Sequence, residues 1–252
     1  MKIDLTGMNI LITGASRGIG QAIARLLGRA GAILAIHYHQ NQESAQKLQK
    51  EIGSPSEIFQ ADLADSKKCI RLFEQVEEKF GHIDVLINNA GIAIQSPVEL
   101  EPETWIRDWE STLKVNLSAT ALLCKLAIRH FLNHKGGRII NIASRAAFRG
   151  DTIDYLAYAA SKGGMVSLTR SIARGFGKQN IKAFLIAPGF VRTDMAQRFI
   201  DFYGEEKTIS DLALNRLTEP EDVAPMVVFL ASGLADHATG GTFDINAGSY
   251  VH

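Results

Sequence analysis

The sequence predicts an α/β fold, a doubly wound parallel sheet of about seven strands with helices on both faces. Short β-branched runs alternate with longer segments of helical periodicity, which is the pattern of βαβ units. The 252 residues are 46% hydrophobic, enough to bury a large core. No repeat, low-complexity tract or Ser/Pro-rich linker interrupts the alternation. We therefore expect residues 1–252 to form one domain.

Seven segments have the composition of strands, and helices separate nearly all of them. The first strand runs into a glycine-bearing turn and a helix that ends near Gly31. Two later helices are long, one over 104–134 with a break expected near Trp109, and one over 155–176. The segment 190–217 mixes aromatic and charged residues and is predicted to be a lid-like loop. The predicted strands are 8–13, 32–38, 56–60, 83–87, 138–142, 181–186 and 242–245.

The charge balance and the cysteine content exclude several classes of protein. Lys plus Arg and Asp plus Glu both number 27, so the chain lacks the basic excess that favours nucleic acid. Cys69 and Cys124 are far apart and form no metal-binding motif, which favours buried free thiols in a reducing compartment. His37 and His39 have no further ligands at metal-binding spacing, so we expect no metal site. With no signal peptide and no apolar span, we expect a soluble cytoplasmic protein without a membrane partner.

The turn after the first strand has the composition of a phosphate-binding loop. Gly14, Gly18 and Gly20 permit positive φ and close backbone approach, and the next helix presents unpaired N–H groups at its start. The spacing is G-x-x-x-G-x-G, which departs from the commoner G-x-G-x-x-G. A chance glycine-rich turn would have the same letters, but its place after the first strand of an alternating chain favours a dinucleotide.

The end of the second strand indicates which dinucleotide binds. An Asp or Glu there normally bonds the ribose 2′-hydroxyl of NAD, whereas this chain has Tyr38 followed by His39. Without that carboxylate a 2′-phosphate is not repelled, and Arg17 in the glycine-rich loop offers a cation to pair with it. We therefore expect NADP(H) in preference to NAD(H). The alternatives are that Arg17 and His39 are ordinary surface residues.

Tyr158 and Lys162 lie four residues apart in a predicted helix, so both side chains project from one face. A nearby ammonium stabilises a phenolate and lowers the pKa of tyrosine from about 10, which makes the phenol a stronger acid. A positioned acid of matched pKa contributes about 10²–10⁴ in rate. Ser144 and the turn 88–91 follow two other strands, so both are expected at the same sheet edge. Either one could instead be an ordinary cap or turn.

These motifs together resemble the short-chain dehydrogenase/reductase family, from about Leu5 to the C-terminus. The resemblance implies a single-domain Rossmann fold and hydride transfer between a nicotinamide dinucleotide and a ketone or secondary alcohol. Within the family the chain is most similar to bacterial 3-oxoacyl-(acyl-carrier-protein) reductases. The matching motifs, which occur in the family's order, are Thr13 to Gly20, Asp62, Asn88 to Gly91, Asn116, Ser144, Tyr158 to Lys162 and Pro188 to Thr193.

The resemblance also implies a role for each matching residue. Tyr158 is the acid/base, Lys162 holds the nicotinamide ribose and lowers the Tyr158 pKa, Ser144 polarises the carbonyl, and Asn116 holds the helix backbone and a water behind Lys162. With the second-strand residues added, the residues expected to bind the cofactor are Gly14, Ser16, Arg17, Gly18, Ile19, Tyr38, His39, Asp62, Leu63, Asn89, Ala90, Gly91, Tyr158, Lys162, Pro188, Gly189, Val191 and Thr193.

Other functions stay open at this point. An NAD-preferring short-chain alcohol, sugar or steroid dehydrogenase would keep the same fold and catalytic residues. A non-catalytic dinucleotide sensor is expected to lack part of that set, and a methyltransferase would leave Tyr158 and Lys162 without a role. Asp151 and Asp154 place two acids near the expected substrate mouth, so the substrate and the reaction direction stay open. The two long helices resemble those at tetramer contacts in the family, so we expect a homotetramer.

Overall fold

Seven parallel strands form one sheet in the computed structural model, which describes residues 3–53, 55–197 and 209–251. The strand order is β3-β2-β1-β4-β5-β6-β7, so the order reverses direction between β1 and β4. Each predicted strand is present, with ends shifted by at most two residues. The strands are β1 (Asn9–Ile12), β2 (Ile33–Tyr38), β3 (Ser56–Gln60), β4 (Val85–Asn88), β5 (Gly137–Ile142), β6 (Ile181–Pro188) and β7 (Thr242–Ile245).

Helices cover both faces of this sheet, as a doubly wound topology requires. One buried cluster joins the sheet to the first and last helices, and a second joins its other face to the central ones. The α-helices bounded within the described residues are α1 (Gly18–Arg29), α2 (Gln42–Glu51), α3 (Ser66–Phe80), α4 (Pro102–Leu113), α5 (Ala119–Asn133), α6 (Ala146–Arg149), α7 (Leu156–Phe176) and α8 (Pro220–Ala231).

The expected break near Trp109 is wrong. α4 passes regularly through that position, and Trp109 stacks on Trp105 one turn earlier, with ring centroids 5.3 Å apart. The irregularity comes later, at Lys114–Ser118, which is π-helical and joins α4 directly to α5. Its central residue, Asn116, is fully buried and bonds the main chain of Ile92. Such wide turns are frequent at functional sites, where they redirect one side chain.

The helical stretch 102–133 is long and apolar enough, by length and composition, to cross a membrane, and it is the one such stretch in the described parts of the chain. Its second half, α5, buries Leu123, Ala127 and Phe131 in the core beside the sheet. Core helices of this length have the same composition. The apolar character of the stretch therefore has a sufficient explanation in packing.

The two cysteines are buried free thiols, as predicted. Cys69 on α3 and Cys124 on α5 pack in the same core cluster. Burial raises the pKa of Cys69 to about 11 and that of Cys124 to about 12, so both stay protonated at neutral pH. Their role in this fold is packing.

A buried polar bridge fastens the centre of the sheet to α7. The Asn141 side chain on β5 accepts from Asn88 Nδ2 on β4 at 2.8 Å and donates to Thr169 Oγ1 on α7, also at 2.8 Å. All three residues are almost completely inaccessible to solvent. Thr112 is a contrasting case, because its buried hydroxyl has no partner within the described residues.

We expect Asn141→Ala to lower the free energy of unfolding by about 1–3 kcal/mol, since it removes one hydrogen-bond partner from each of two buried groups, Asn88 and Thr169. Thr112→Val removes a hydroxyl that already lacks a partner, so its effect should stay below about 1 kcal/mol. Urea unfolding of both variants beside the wild type measures the difference. Equal losses would contradict the bridge's role.

Candidate active site

The carboxyl ends of parallel strands share one edge of the sheet, and the predicted site residues meet there. The β1, β4, β5 and β6 ends deliver loops 13–17, 89–91, 143–145 and 189–193 to this rim. The order reversal between β1 and β4 opens the crevice in which such sheets bind ligands. Placed along this rim or at the β2 and β3 ends beside it are Gly14, Ser16, Arg17, Gly18, Ile19, Tyr38, His39, Asp62, Leu63, Asn89, Ala90, Gly91, Pro188, Gly189, Val191 and Thr193.

The glycine-rich loop fits a bound diphosphate. Gly14 and Gly18 have φ of +63° and +53°, and a Cβ on Gly14 would lie 2.9 Å from Ala90 Cα. The first turn of α1, all of it among the described residues, has no acidic residue, and Arg17 at its N-cap makes no side-chain capping bond. The start of a twelve-residue helix is thus left with unpaired N–H groups and a partial positive charge, where a phosphate is stabilised.

Three residues hold this loop in place, and sequence reasoning missed two of them. His37 Nδ1 accepts the Gly14 N–H at 3.0 Å while its Nε2 lies 3.1 Å from the Ala61 carbonyl oxygen. Thr13 Oγ1 accepts the N–H groups of Asn89 and Ala90. In return, Asn89 Nδ2 donates to the Thr13 and Gly14 carbonyls at 2.9 and 3.0 Å. The sequence signal that could have indicated His37 is its position on a buried strand, where both ring nitrogens need hydrogen-bond partners.

The end of β2 carries Tyr38 followed by His39 and no carboxylate. Tyr38 there is buried and His39 is exposed. Asp62 follows β3, accepts the Ala64 N–H at 3.0 Å and lies 3.9 Å from His39 Nε2. The Arg17 guanidinium is exposed and pairs with Asp194 beyond β6 at 3.1 Å. An accessible arginine and a histidine therefore flank this end.

Tyr158, Ser144 and Lys162 meet at the rim. Ser144 lies close enough to Tyr158 to oppose the rise of its pKa, and Ser144 Oγ accepts the Ala146 N–H at 3.1 Å. The buried Lys162 ammonium donates to the Ile142 carbonyl at the end of β5 at 2.8 Å and lies 5.7 Å from the Tyr158 ring centre. One helix and one strand end thus deliver all three groups.

Asn116 supports this arrangement from behind. Its Nδ2 donates to the Ile92 carbonyl at 2.9 Å and to Ser161 Oγ at 3.0 Å, and its Oδ1 accepts the Ile92 N–H. Ser161 in turn donates to the Tyr158 carbonyl at 2.7 Å. The loop after β4, the π-helical turn and α7 are therefore fixed relative to one another. Ser161 and Ile92 were not singled out from the sequence, although Ser161 lies inside the Tyr-Lys motif.

The prediction that Lys162 lowers the pKa of Tyr158 is wrong, because the pKa of this tyrosine is raised in the structure. Burial raises the pKa of Tyr158 to about 12, the Ser144 hydrogen bond opposes the rise, and the Asp151 charge adds to it. Burial also lowers the pKa of Lys162 to about 8. Desolvation is the largest effect on both groups, because burial disfavours the charged form of each.

The segment after β6 closes the far side of the crevice. Gly189 donates to the Ile245 carbonyl at 2.9 Å, and Val191 bridges to Thr218. Thr193 faces the glycine-rich loop, since a Cβ on Gly18 would lie 3.2 Å from Thr193 Cγ2. Residues 198–208 of the predicted lid-like segment 190–217 lie outside the described residues.

A histidine cluster lies away from this rim, and the sequence did not reveal it. One ring nitrogen each from His82, His130 and His134 lies within 4.8 Å of the others. His130 already uses both ring nitrogens, one accepting the Ile83 N–H at 3.0 Å and the other 2.6 Å from Glu77 Oε1. A metal bound to all three would have to break one of these bonds. Residues 82 and 130 are remote in sequence, so only the fold brings them together.

A glycine-rich loop facing a Ser-Tyr-Lys set across the switch point of a parallel sheet defines a dinucleotide-dependent oxidoreductase. A family model described as enoyl-(acyl carrier protein) reductase matches residues 14–250. The chain is 32% identical to the 3-oxoacyl-[acyl-carrier-protein] reductase FabG of Aquifex aeolicus, over 99% of this chain and 100% of that protein. It belongs to the short-chain dehydrogenase/reductase family, as its motifs predicted.

Solved structures agree with this assignment. A dehydrogenase/reductase from Sinorhizobium meliloti 1021 superposes with a TM-score of 0.92 at 32% identity, covering 99% of this chain and 98% of that one. A short-chain dehydrogenase from Burkholderia cenocepacia J2315, solved with NADP, gives 0.89 at 33% identity, covering 97% and 98%. The predicted Rossmann fold is confirmed.

The buried His37 makes stability depend on pH. Burial lowers its pKa to about 4, while the bond to Ala61 opposes the fall and His39 adds to it. An unfolded histidine titrates near pH 6.5, so between about pH 6.5 and 4 only the unfolded chain gains this proton, and stability is lost as the pH falls. This residue should remove about 2 kcal/mol of the free energy of unfolding between pH 7 and pH 5.

Urea unfolding of the wild type and His37→Gln at both pH values tests this. The glutamine amide can accept the Gly14 N–H but does not titrate, so the variant should lose about 2 kcal/mol less than the wild type. Equal losses would show that His37 does not control the pH dependence.

Proposed function

We propose that this protein is an NADP(H)-dependent carbonyl reductase, with 3-oxoacyl compounds as its first candidate substrates. The observation that carries the proposal is the buried Lys162 beside the Tyr158 ring, with Ser144 near the same tyrosine, opposite the glycine-rich loop. The similarity to curated 3-oxoacyl reductases supports the substrate class. The loop glycines and the uncapped start of α1 fit the diphosphate of the cofactor.

A bound nicotinamide supplies the hydride that reaches the carbonyl carbon. Ser144 and Tyr158 both direct hydroxyl groups at the substrate oxygen, so that oxygen is polarised before and protonated during the reaction. Lys162 holds a positive charge behind the phenol, which stabilises the phenolate that forms once the proton has left. Asn116 and Ser161 keep the helix bearing both groups in position.

The proposed direction at neutral pH is reduction. A tyrosine with a pKa of about 12 stays protonated at pH 7, which suits a proton donor. Oxidation of an alcohol needs the phenolate, which a high pKa disfavours. Raising the pH should therefore favour oxidation relative to reduction.

Arg17, His39 and the carboxylate-free end of β2 support the choice of NADP(H). The Arg17 guanidinium is accessible and can exchange Asp194 for a 2′-phosphate, and His39 lies beside the same end of the crevice. The structure of the similar short-chain dehydrogenase from Burkholderia cenocepacia contains NADP. The cofactor residues named in the sequence analysis, from Gly14 to Thr193, form the proposed binding site.

We also propose a homotetramer in the cytoplasm. Ile106 on α4 and Leu132 on α5 are exposed apolar residues on the long helical stretch, which supports an interface there. Light scattering at working concentration tests the assembly.

We expect Tyr158→Phe to lower kcat for ketone reduction by about 10²–10⁴, because it removes the proton donor without changing the size of the ring. NADPH oxidation with ethyl acetoacetate or an acetoacetyl thioester measures the loss. NADPH binding, followed by fluorescence, should be retained as the control. Turnover close to that of the wild type would overturn the assignment of Tyr158.

The preference for one of the two cofactors can be measured directly. Wild-type enzyme should bind NADPH more tightly than NADH, and Arg17→Ala should weaken NADPH by about tenfold while changing NADH little, since it removes one cation from the 2′-phosphate. Titration of both cofactors against both proteins measures this. Equal or tighter NADH binding by the wild type would favour the NAD-preferring alternative.

A further inference from the structure

Two arginines lie beside the reacting groups and have no role in the mechanism above. Arg145 directly follows Ser144, and Arg149 ends α6, four residues later and therefore on the same helical face. The Arg145 N–H also donates to the Pro188 carbonyl at 2.9 Å, which ties this corner to the end of β6. We call Arg145 and Arg149 the arginine pair.

The arginine pair converges on a single carboxylate oxygen. Arg145 Nη1 lies 3.0 Å and Arg149 Nη1 2.8 Å from Oδ2 of Asp211. Asp211 belongs to the described stretch 209–217, and Ala213 in that stretch donates to the Ala247 carbonyl. Two guanidinium groups on one oxygen form the donor arrangement that proteins use to bind carboxylates.

The charged side chains around the arginine pair act electrostatically on Tyr158. Asp151, which the arginine pair partly neutralises, raises the pKa of the Tyr158 phenol. The cluster therefore lies within electrostatic reach of the position where a substrate carbonyl would be protonated. Because Arg145 directly follows Ser144 in the chain, a charged group bound by the arginine pair would lie on the Ser144 side of that carbonyl.

The two positive charges of the arginine pair can neutralise one carboxylate in addition to Asp151. The two arginines offset Asp151 and one further acid, and Asp211 fills that second place here. The Arg145 side chain is only 18% exposed, so leaving its charge without a partner would be costly. The Asp211 side chain is 49% exposed, so it can turn to water and let another carboxylate take its place.

We infer that the arginine pair binds a carboxylate of the substrate in exchange for Asp211. Among the ketones of the proposed function, 3-oxoacyl compounds included, the preferred substrates are then those that carry a carboxylate near the reacting carbon, or the corresponding hydroxy acids in the reverse direction. This inference rests on the proposed function, because it names the substrate class of the same site. The competing explanation is that the ion pairs only fasten stretch 209–217 to α6.

The test compares two ketones that differ in charge and by one methyl group, 4-oxopentanoate and its methyl ester, with NADPH as reductant. We expect kcat/KM to be about tenfold or more higher for the acid, since a charge-assisted hydrogen bond contributes that much. Arg149→Met should lower the acid-to-ester ratio about tenfold. Arg71→Met, at an exposed arginine on α3, is the matched control and should leave the ratio unchanged.

Asp211→Asn provides a second variant that does not touch the arginine pair. Removing the internal carboxylate should lower KM for the acid and leave the ester's KM less affected. If the ion pairs only fasten the stretch, Asp211→Asn and Arg149→Met will affect acid and ester equally. An acid-to-ester ratio near one in the wild type, unchanged in Arg149→Met, overturns the inference while leaving carbonyl reduction intact.

A binding measurement separates this inference from the proposed function. Glutarate, which carries carboxylates but no ketone, should bind the NADP⁺-loaded enzyme by calorimetry and bind Arg149→Met about tenfold more weakly. If no ketone is reduced but glutarate binding depends on Arg149, the proposed function fails and the carboxylate site stands. If ketones are reduced and glutarate binds equally well to both proteins, or to neither, the carboxylate site fails.

Discussion

The buried ammonium of Lys162 is the constraint on which the site depends. A charge withdrawn from water is costly unless the protein supplies partners, and here the carbonyl of Ile142 accepts from it at the end of β5. That bond fixes α7 against the sheet edge and thereby places Tyr158 beside Ser144. Asn116 and Ser161 fix the same helix from the other side. The position of the Tyr158 hydroxyl thus follows from where one charge can be buried.

The parallel sheet makes this arrangement possible. Parallel strands bring all their carboxyl ends to one edge, so the glycine-rich loop, Ser144 and the loop after β6 meet although they are distant in the chain. The neutral overall charge of the chain supplies no long-range attraction for an anionic cofactor. Binding must come from local groups, chiefly the unpaired N–H groups at the start of α1 and the exposed Arg17.

Local sequence signals predicted most of the fold and brought the proposed catalytic residues into view. Strands buried on both faces are continuous apolar runs, and the Tyr158–Lys162 spacing defines one helical face, so both were readable without a structure. The irregularity in the long helix was predicted near Trp109, but it lies at the π-helical turn around Asn116, where the side chain contacts Ile92 across the fold. The Tyr158 pKa was predicted with the wrong sign because burial is a tertiary property. His37, the histidine cluster and the link from the arginine pair to Asp211 each depend on residues far apart in sequence.

The pH dependence of ketone reduction tests the role of Lys162 most directly. With a pKa of about 8 the ammonium is charged below that pH and neutral above it, so kcat/KM should fall as the pH rises through about 8. Lys162→Met should have low activity without this descending limb. A wild-type profile that stays level up to about pH 10, where an unperturbed lysine titrates, would contradict the account.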